Sequence, residues 1–170
     1  MDNSQIETEN SKVLLKPITV RELSKLNFFI PDYQRGYRWT KVQVEQLLED
    51  VYNFETKNNC SNDETWYCLQ PLVVKEMTLF PDNFDGDQNL KWMEVIDGQQ
   101  RLTTVYLIVH YINEMFRGPK KDAEPSLLYQ TRTNSAAFLK NVNCDGIIDT
   151  HEKSNIDYYH ITKAYQKIHD

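Results

Sequence analysis

Cysteine is scarce in this chain. Cys60, Cys68 and Cys144 are odd in number and widely spaced, with no paired metal-ligand spacing. They read as reduced thiols of a cytosolic protein, and no activating partner marks any of them as a nucleophile. Positive charge is also in deficit: 19 Lys and Arg against 25 Asp and Glu leave a net charge of -6. A general nucleic-acid surface needs clustered cations to neutralise phosphates, so the balance argues against one, although a local basic pocket stays open. Long hydrophobic runs are missing. The longest, Val105 to Ile112, is too short and too interrupted to span a bilayer, and the polar, acidic stretch Met1 to Asn10 is no signal peptide. A soluble, cytoplasmic protein without a membrane partner is expected.

Several catalytic signatures are absent too. There is no Gly-x-x-x-x-Gly-Lys-Ser/Thr loop, no Gly-x-Ser-x-Gly elbow and no His-Glu-x-x-His pair. His110, His151, His160 and His169 never fall at ligand spacing. His110 lies on an apolar helix and reads as a packed core residue; the other three fit exposed positions. The acidic stretch Phe80 to Asn89 fails as a calcium loop. With Gly86 at loop position six, Pro81 and Trp92 would stand where carboxylates are required.

What remains is a globular composition, 40% hydrophobic and 26% charged over 170 residues, enough for one domain with a real core. Residues 1–12 read as a polar tail and 13–170 as a single domain. Val13 to Leu26 supplies a short strand and a helical turn. Phe28-Phe29-Ile30-Pro31 follows as an extended entry, a loop or edge strand, because proline biases Ile30 toward extended backbone. Thr40 and Gln43 form a capping box for a helix whose apolar face is Val44, Leu47, Leu48, Val51 and Tyr52. A polar loop at 55–64 leads to a strand over Trp66 to Glu76, with Pro71 marking an edge or bulge. Turn-forming residues at 80–89 connect it to a second strand, Lys91 to Ile96. From about Gln99 a helix runs to Phe116, apolar around most of its circumference and therefore central, until Gly118-Pro119 stops it. Residues 127–139 suggest a strand or helix, and 155–168 a further helix.

The most informative stretch is Asp97-Gly98-Gln99-Gln100-Arg101, where a strand meets a helix. A glycine turn there leaves backbone N–H groups free at a helix N-terminus, which with the helix dipole forms an anion site. Arg101 could fork onto phosphate oxygens, while Gln99, Gln100, Thr103 and Thr104 add polar groups. Asp97 suits a bridging Mg²⁺ or an oriented water beside phosphates. The same residues are equally compatible with a common Asp-Gly turn and a salt-bridged arginine. A second constellation, Tyr33-Gln34-Arg35-Gly36-Tyr37-Arg38-Trp39, could clasp a nucleotide between guanidinium and ring. Read alone, Tyr37 and Trp39 are better taken as core anchors, with the arginines on the surface.

Together, Phe29 to Trp39 and Val95-Ile96-Asp97-Gly98-Gln99-Gln100-Arg101-Leu102-Thr103-Thr104 resemble the GmrSD N-terminal family, catalogued as domain of unknown function 262. Tyr129-Gln130-Thr131-Arg132 and Asn155-Ile156-Asp157-Tyr158-Tyr159 are similar to its downstream segments, so the resemblance runs from about Leu14 to the C-terminus. One departure is Gln70-Pro71, where many members carry a glycine. The resemblance implies an α+β fold similar to the ParB–sulfiredoxin group, a small mixed sheet with packed helices. It implies nucleoside-triphosphate binding and hydrolysis in restriction of modified or phage DNA, to which the Asp97 reading adds Mg²⁺. In that picture Asp97, Gln100 and Arg101 are catalytic, with Asp97 at the metal. Tyr33, Gln34, Arg35, Trp39, Gly98, Gln99 and Thr103 bind nucleotide. The expected partners are a separate C-terminal His-Asn-His nuclease domain or subunit and DNA through the longer protein; whether the chain also forms a homo-oligomer stays open. The different-class alternative is a non-catalytic module sensing nucleotide or modified DNA; nuclease activity in this chain itself is not expected.

Overall fold

A computed structural model describes residues 16–54, 65–116, 123–131, 135–143 and 156–170. The expected polar tail, the 55–64 loop, the Gly118-Pro119 stop, Cys60, Cys144, His151 and Arg132 lie outside those residues. In chain order the elements are α1 (Val20–Leu23), β1 (Asn27–Ile30), α2 (Lys41–Tyr52), β2 (Val73–Glu76), β3 (Trp92–Asp97), α3 (Gln99–Met115), β4 (Ser126–Tyr129), α4 (Ser135–Asn141) and α5 (Ile156–His169). The architecture is α+β: a four-stranded mixed sheet in the order β2-β3-β1-β4. β1 runs parallel to both β3 and β4, and β2 pairs antiparallel with β3.

Alternation along the strands divides the core. Phe28, Ile30, Val95, Leu127 and Tyr129 point to the helical side, where they meet Val44 of α2, Leu102, Tyr106 and Leu107 of α3, Phe138 and Leu139 of α4 and Ile161, Ala164 and Tyr165 of α5. Phe29, Trp92 and Leu128 point the other way and are covered by Met77, Phe80 and Phe84 from the β2–β3 connection. That connection is the turn-rich stretch read from the sequence, and it packs an aromatic cluster instead of merely crossing solvent. Phe84 stands edge-on to Trp92, with centroids 5.2 Å apart.

Three expectations change. β1 is an interior strand, not a loop or edge: Pro31 follows its last residue, so no ladder donor is lost. The apolar face of α2 ends early. Val44 and Leu47 are buried, but Val51 and Tyr52 are 49% and 89% exposed, because the last turn overhangs the core. The strand expected over 66–76 is ordered as β only at Val73–Glu76, an edge strand with a register shift between Val73 and Val74. The capping contact of α2 is present: the Gln43 side chain accepts from the Thr40 backbone N–H at 2.8 Å.

Candidate functional site

Because β1, β3 and β4 are parallel, their carboxyl ends share one edge of the sheet. There β3 stops at Asp97 and Gly98 turns the chain into α3. Gly98 has φ +92°, a left-handed backbone that a side chain strains. A Cβ on it would lie 2.9 Å from Leu72 Cδ1. No side chain caps α3, and the first intrahelical bond runs from Leu102 N–H to the Gly98 carbonyl. The N–H groups of Gln99, Gln100 and Arg101 thus have no acceptor within the helix. Gln99 is 3% exposed. Its Oε1 accepts from Gln100 Nε2, and its side chain also bears on the Tyr129 phenol.

The segment after β1 folds over this turn. Gln100 Oε1 accepts from the backbone N–H groups of Arg38 (2.8 Å) and Trp39 (3.2 Å), and Gln100 Nε2 donates to the Gly36 carbonyl (3.1 Å). Gln34 Nε2 donates to the Ile96 carbonyl at 2.7 Å, and the Tyr33 hydroxyl to Glu94 at 3.0 Å. The two constellations read from the sequence are therefore one assembly. Arg101 holds the other flank: Nη1 donates to Gln70 Oε1 at 2.9 Å and Nη2 to the Pro71 carbonyl at 2.8 Å, while Asp97 Oδ2 stands 3.9 Å away. Gln70 takes φ +33°, a conformation glycine adopts without strain, so the sequence departure at this point has a backbone counterpart.

Residues 16–169 match the family of the GmrSD restriction endonuclease, N-terminal domain. The chain belongs to that family. No curated protein and no solved structure matches it. A GmrSD N-terminal domain is one part of a restriction endonuclease, which places the chain in a restriction system. Among the described residues no helix is long and apolar enough to cross a membrane.

In this GmrSD domain the expected site residues occupy three kinds of position. Arg35 is exposed and makes no hydrogen bond or ion pair among the described residues, and the Asp97 carboxylate is 74% exposed. Tyr33 and Gln34 rim the turn through the contacts above. Thr103 and Trp39 sit inward: Trp39 packs on the core, and Thr103 is fully buried. The Thr103 hydroxyl donates to the Gln99 carbonyl at 2.9 Å and lies 2.6 Å from the Tyr129 hydroxyl. Burial pushes the Tyr129 phenol up to about 12, against the opposing effects of Thr103 and Gln99, so it stays protonated. Asp97 is the one carboxylate of the turn. Among the described residues no three His, Cys, Asp or Glu side chains gather as a metal site. A single exposed carboxylate still fits Mg²⁺, which keeps several waters and takes phosphate oxygens as ligands.

Reading the sequence missed Asp157 and Gln70. Asp157, in the first turn of α5, is 3% exposed at its side chain and ion-paired with Arg38. No spacing rule joins residues 119 positions apart, and its only signal was its place in a family-like segment.

Proposed function

We propose that the domain binds a nucleoside triphosphate with Mg²⁺ at the Gly98 turn and hydrolyses it, so governing a partnered nuclease. The observation that carries this reading is the uncapped start of α3 on a left-handed glycine, with Gln99 buried at its first residue. Three backbone donors and the helix dipole favour an anion there. Gly98 and Gln99 hold phosphates together with Arg101, through its backbone N–H and the guanidinium donors beyond those given to Gln70 and Pro71, and Arg35 and Gln34 approach from the segment that folds over the turn. Gln100 serves through its backbone N–H and by keeping that segment in place; Thr103 fixes Gln99 from beneath. Asp97 would hold Mg²⁺ or orient the attacking water, and the metal would neutralise charge on the transferring phosphoryl group. Tyr33, exposed beside the turn, is the side chain best placed for a base.

The test is a thermal-shift titration with the four ribonucleoside triphosphates and Mg²⁺, with Arg101→Ala as control. A melting temperature that rises with triphosphate in the parent and not in the variant is expected, since ligand bound only to the native state stabilises it. No rise from a folded parent sinks the reading. Phosphate release that drops at least about a hundredfold in Asp97→Ala, as for loss of a group that stabilises the transition state, would assign turnover to that carboxylate. The single carboxylate at the turn also suits a second reading, a non-catalytic sensor; binding without phosphate release identifies it.

A further inference from the structure

Asp157 has no part in the scheme above, yet it is the one buried Asp or Glu among the described residues, at 2% exposure. Its carboxylate meets Arg38 Nη1. A Cβ on Gly36 would run into the same carboxylate, so the chain passes against it at a position only glycine leaves open. Arg38 Nη1 also donates to the Tyr37 carbonyl at 2.8 Å, which fixes the guanidinium to its own backbone. Gln100 in turn grips the Gly36 carbonyl and the Arg38 and Trp39 N–H groups of the same short segment. Residues 36–39 are thus held between a buried acid on α5 and an amide on the first turn of α3. A buried carboxylate without its cation is strongly disfavoured, so the Arg38 end of the clasp is not free to leave.

We infer that Asp157 is a positioning residue for the Gly98 turn. It sets Arg38, and the 36–39 backbone then sets Gln100 and the donors beside it. The inference rests on the nucleotide-site reading above. It makes triphosphate affinity depend on a side chain that no ligand touches, carried by a helix that packs on both α2 and α3.

The experiment is calorimetric titration of the full 170-residue chain with each ribonucleoside triphosphate and Mg²⁺, well below the melting temperature. The proteins are the parent, Asp157→Asn, Arg38→Gln and the double variant. Each single variant is expected to weaken binding roughly tenfold, as for loss of one buried charged hydrogen bond. The double variant is expected to be no weaker than either single one, because one clasp is opened only once. Lower melting temperatures with unchanged affinity in the singles would make the pair merely structural and overturn the inference. Additive losses in the double variant would overturn it too. Should Asp157→Asn fail to fold, Arg38→Gln decides alone: parent affinity in it overturns the inference. A parent that binds no triphosphate removes the nucleotide reading and the inference together, whereas equal binding by parent and variants removes only the inference.

Discussion

His110 sits between two acceptors. Its Nδ1 lies 3.2 Å from both oxygens of Glu124, and its Nε2 lies 3.2 Å from the Val142 carbonyl. Both nitrogens can donate only in the imidazolium form. Burial works against that charge, but Glu124 and the Val142 carbonyl outweigh it, so the ring titrates above the ordinary 6.5. Glu124 in turn is held below 4.5, first by His110 and then by Asn113 against the effect of burial. A raised imidazole contributes stability that is complete below 6.5 and lost as pH climbs through its folded value. A lowered carboxyl contributes stability present above 4.5 and lost as pH falls through its folded value. The pair therefore stabilises most between those limits. Melting temperatures of the parent measured against His110→Gln should show an advantage that shrinks on raising the pH above neutral; an advantage that grows would refute the charged pair. That His110 belongs to the core was readable from the apolar helix around it. Its partner was not, because Glu124 arrives from the segment before β4, outside any helical spacing.

The start of α3 puts a comparable demand on an entire element. At φ +92° an alanine at position 98 is strained, and its methyl would press on Leu72. Gly98→Ala should cost about 1–3 kcal/mol, seen as a lower urea midpoint at unchanged slope. An unchanged midpoint would mean the turn is not left-handed. The sequence announced this turn, since a strand pattern met a helix pattern at Asp97-Gly98, and it announced the α2 cap through Thr40 and Gln43. It did not reveal what holds the turn. Gln100 and Arg101 were read as groups facing a ligand, yet both side chains bond to protein: Gln100 to residues 36, 38 and 39, and Arg101 to residues 70 and 71. Amide and guanidinium groups look alike in sequence whether they meet phosphate or backbone. Only the three-dimensional approach of distant segments separates the two uses.

Across the molecule, the interior place of β1 decides which hydrophobic residues matter. Phe28 is 1% exposed beneath the helices, and Tyr52, drawn into the same kind of apolar pattern, is 89% exposed. Phe28→Ala should lose about 3–5 kcal/mol, a large share of a typical domain's stability. Tyr52→Ala should stay within about 0.5 kcal/mol. Chemical denaturation of the two variants side by side checks this, and similar losses would contradict the burial of one and the exposure of the other. Helical spacing put Tyr52 on an apolar face, whereas Phe28 was legible only as part of an extended run before Pro31. Neither reading could tell that Phe29-Ile30-Pro31 enters the middle of a sheet, because the strands on either side are contributed by residues 92–94 and 126–129.

That arrangement has a consequence for how the chain is made. β1 leaves the ribosome before both of its neighbours: one must wait for Trp92 and the other for Ser126. At ordinary elongation rates the delay is on the order of ten seconds. Until it ends Phe28, Phe29 and Ile30 have at least one side without a strand partner, and such unpaired apolar segments are what chaperones hold and what aggregates. A transcript cut short before Ser126 would leave that strand unmatched for the life of the polypeptide, so quality control would meet it as a persistent substrate and not as a passing one.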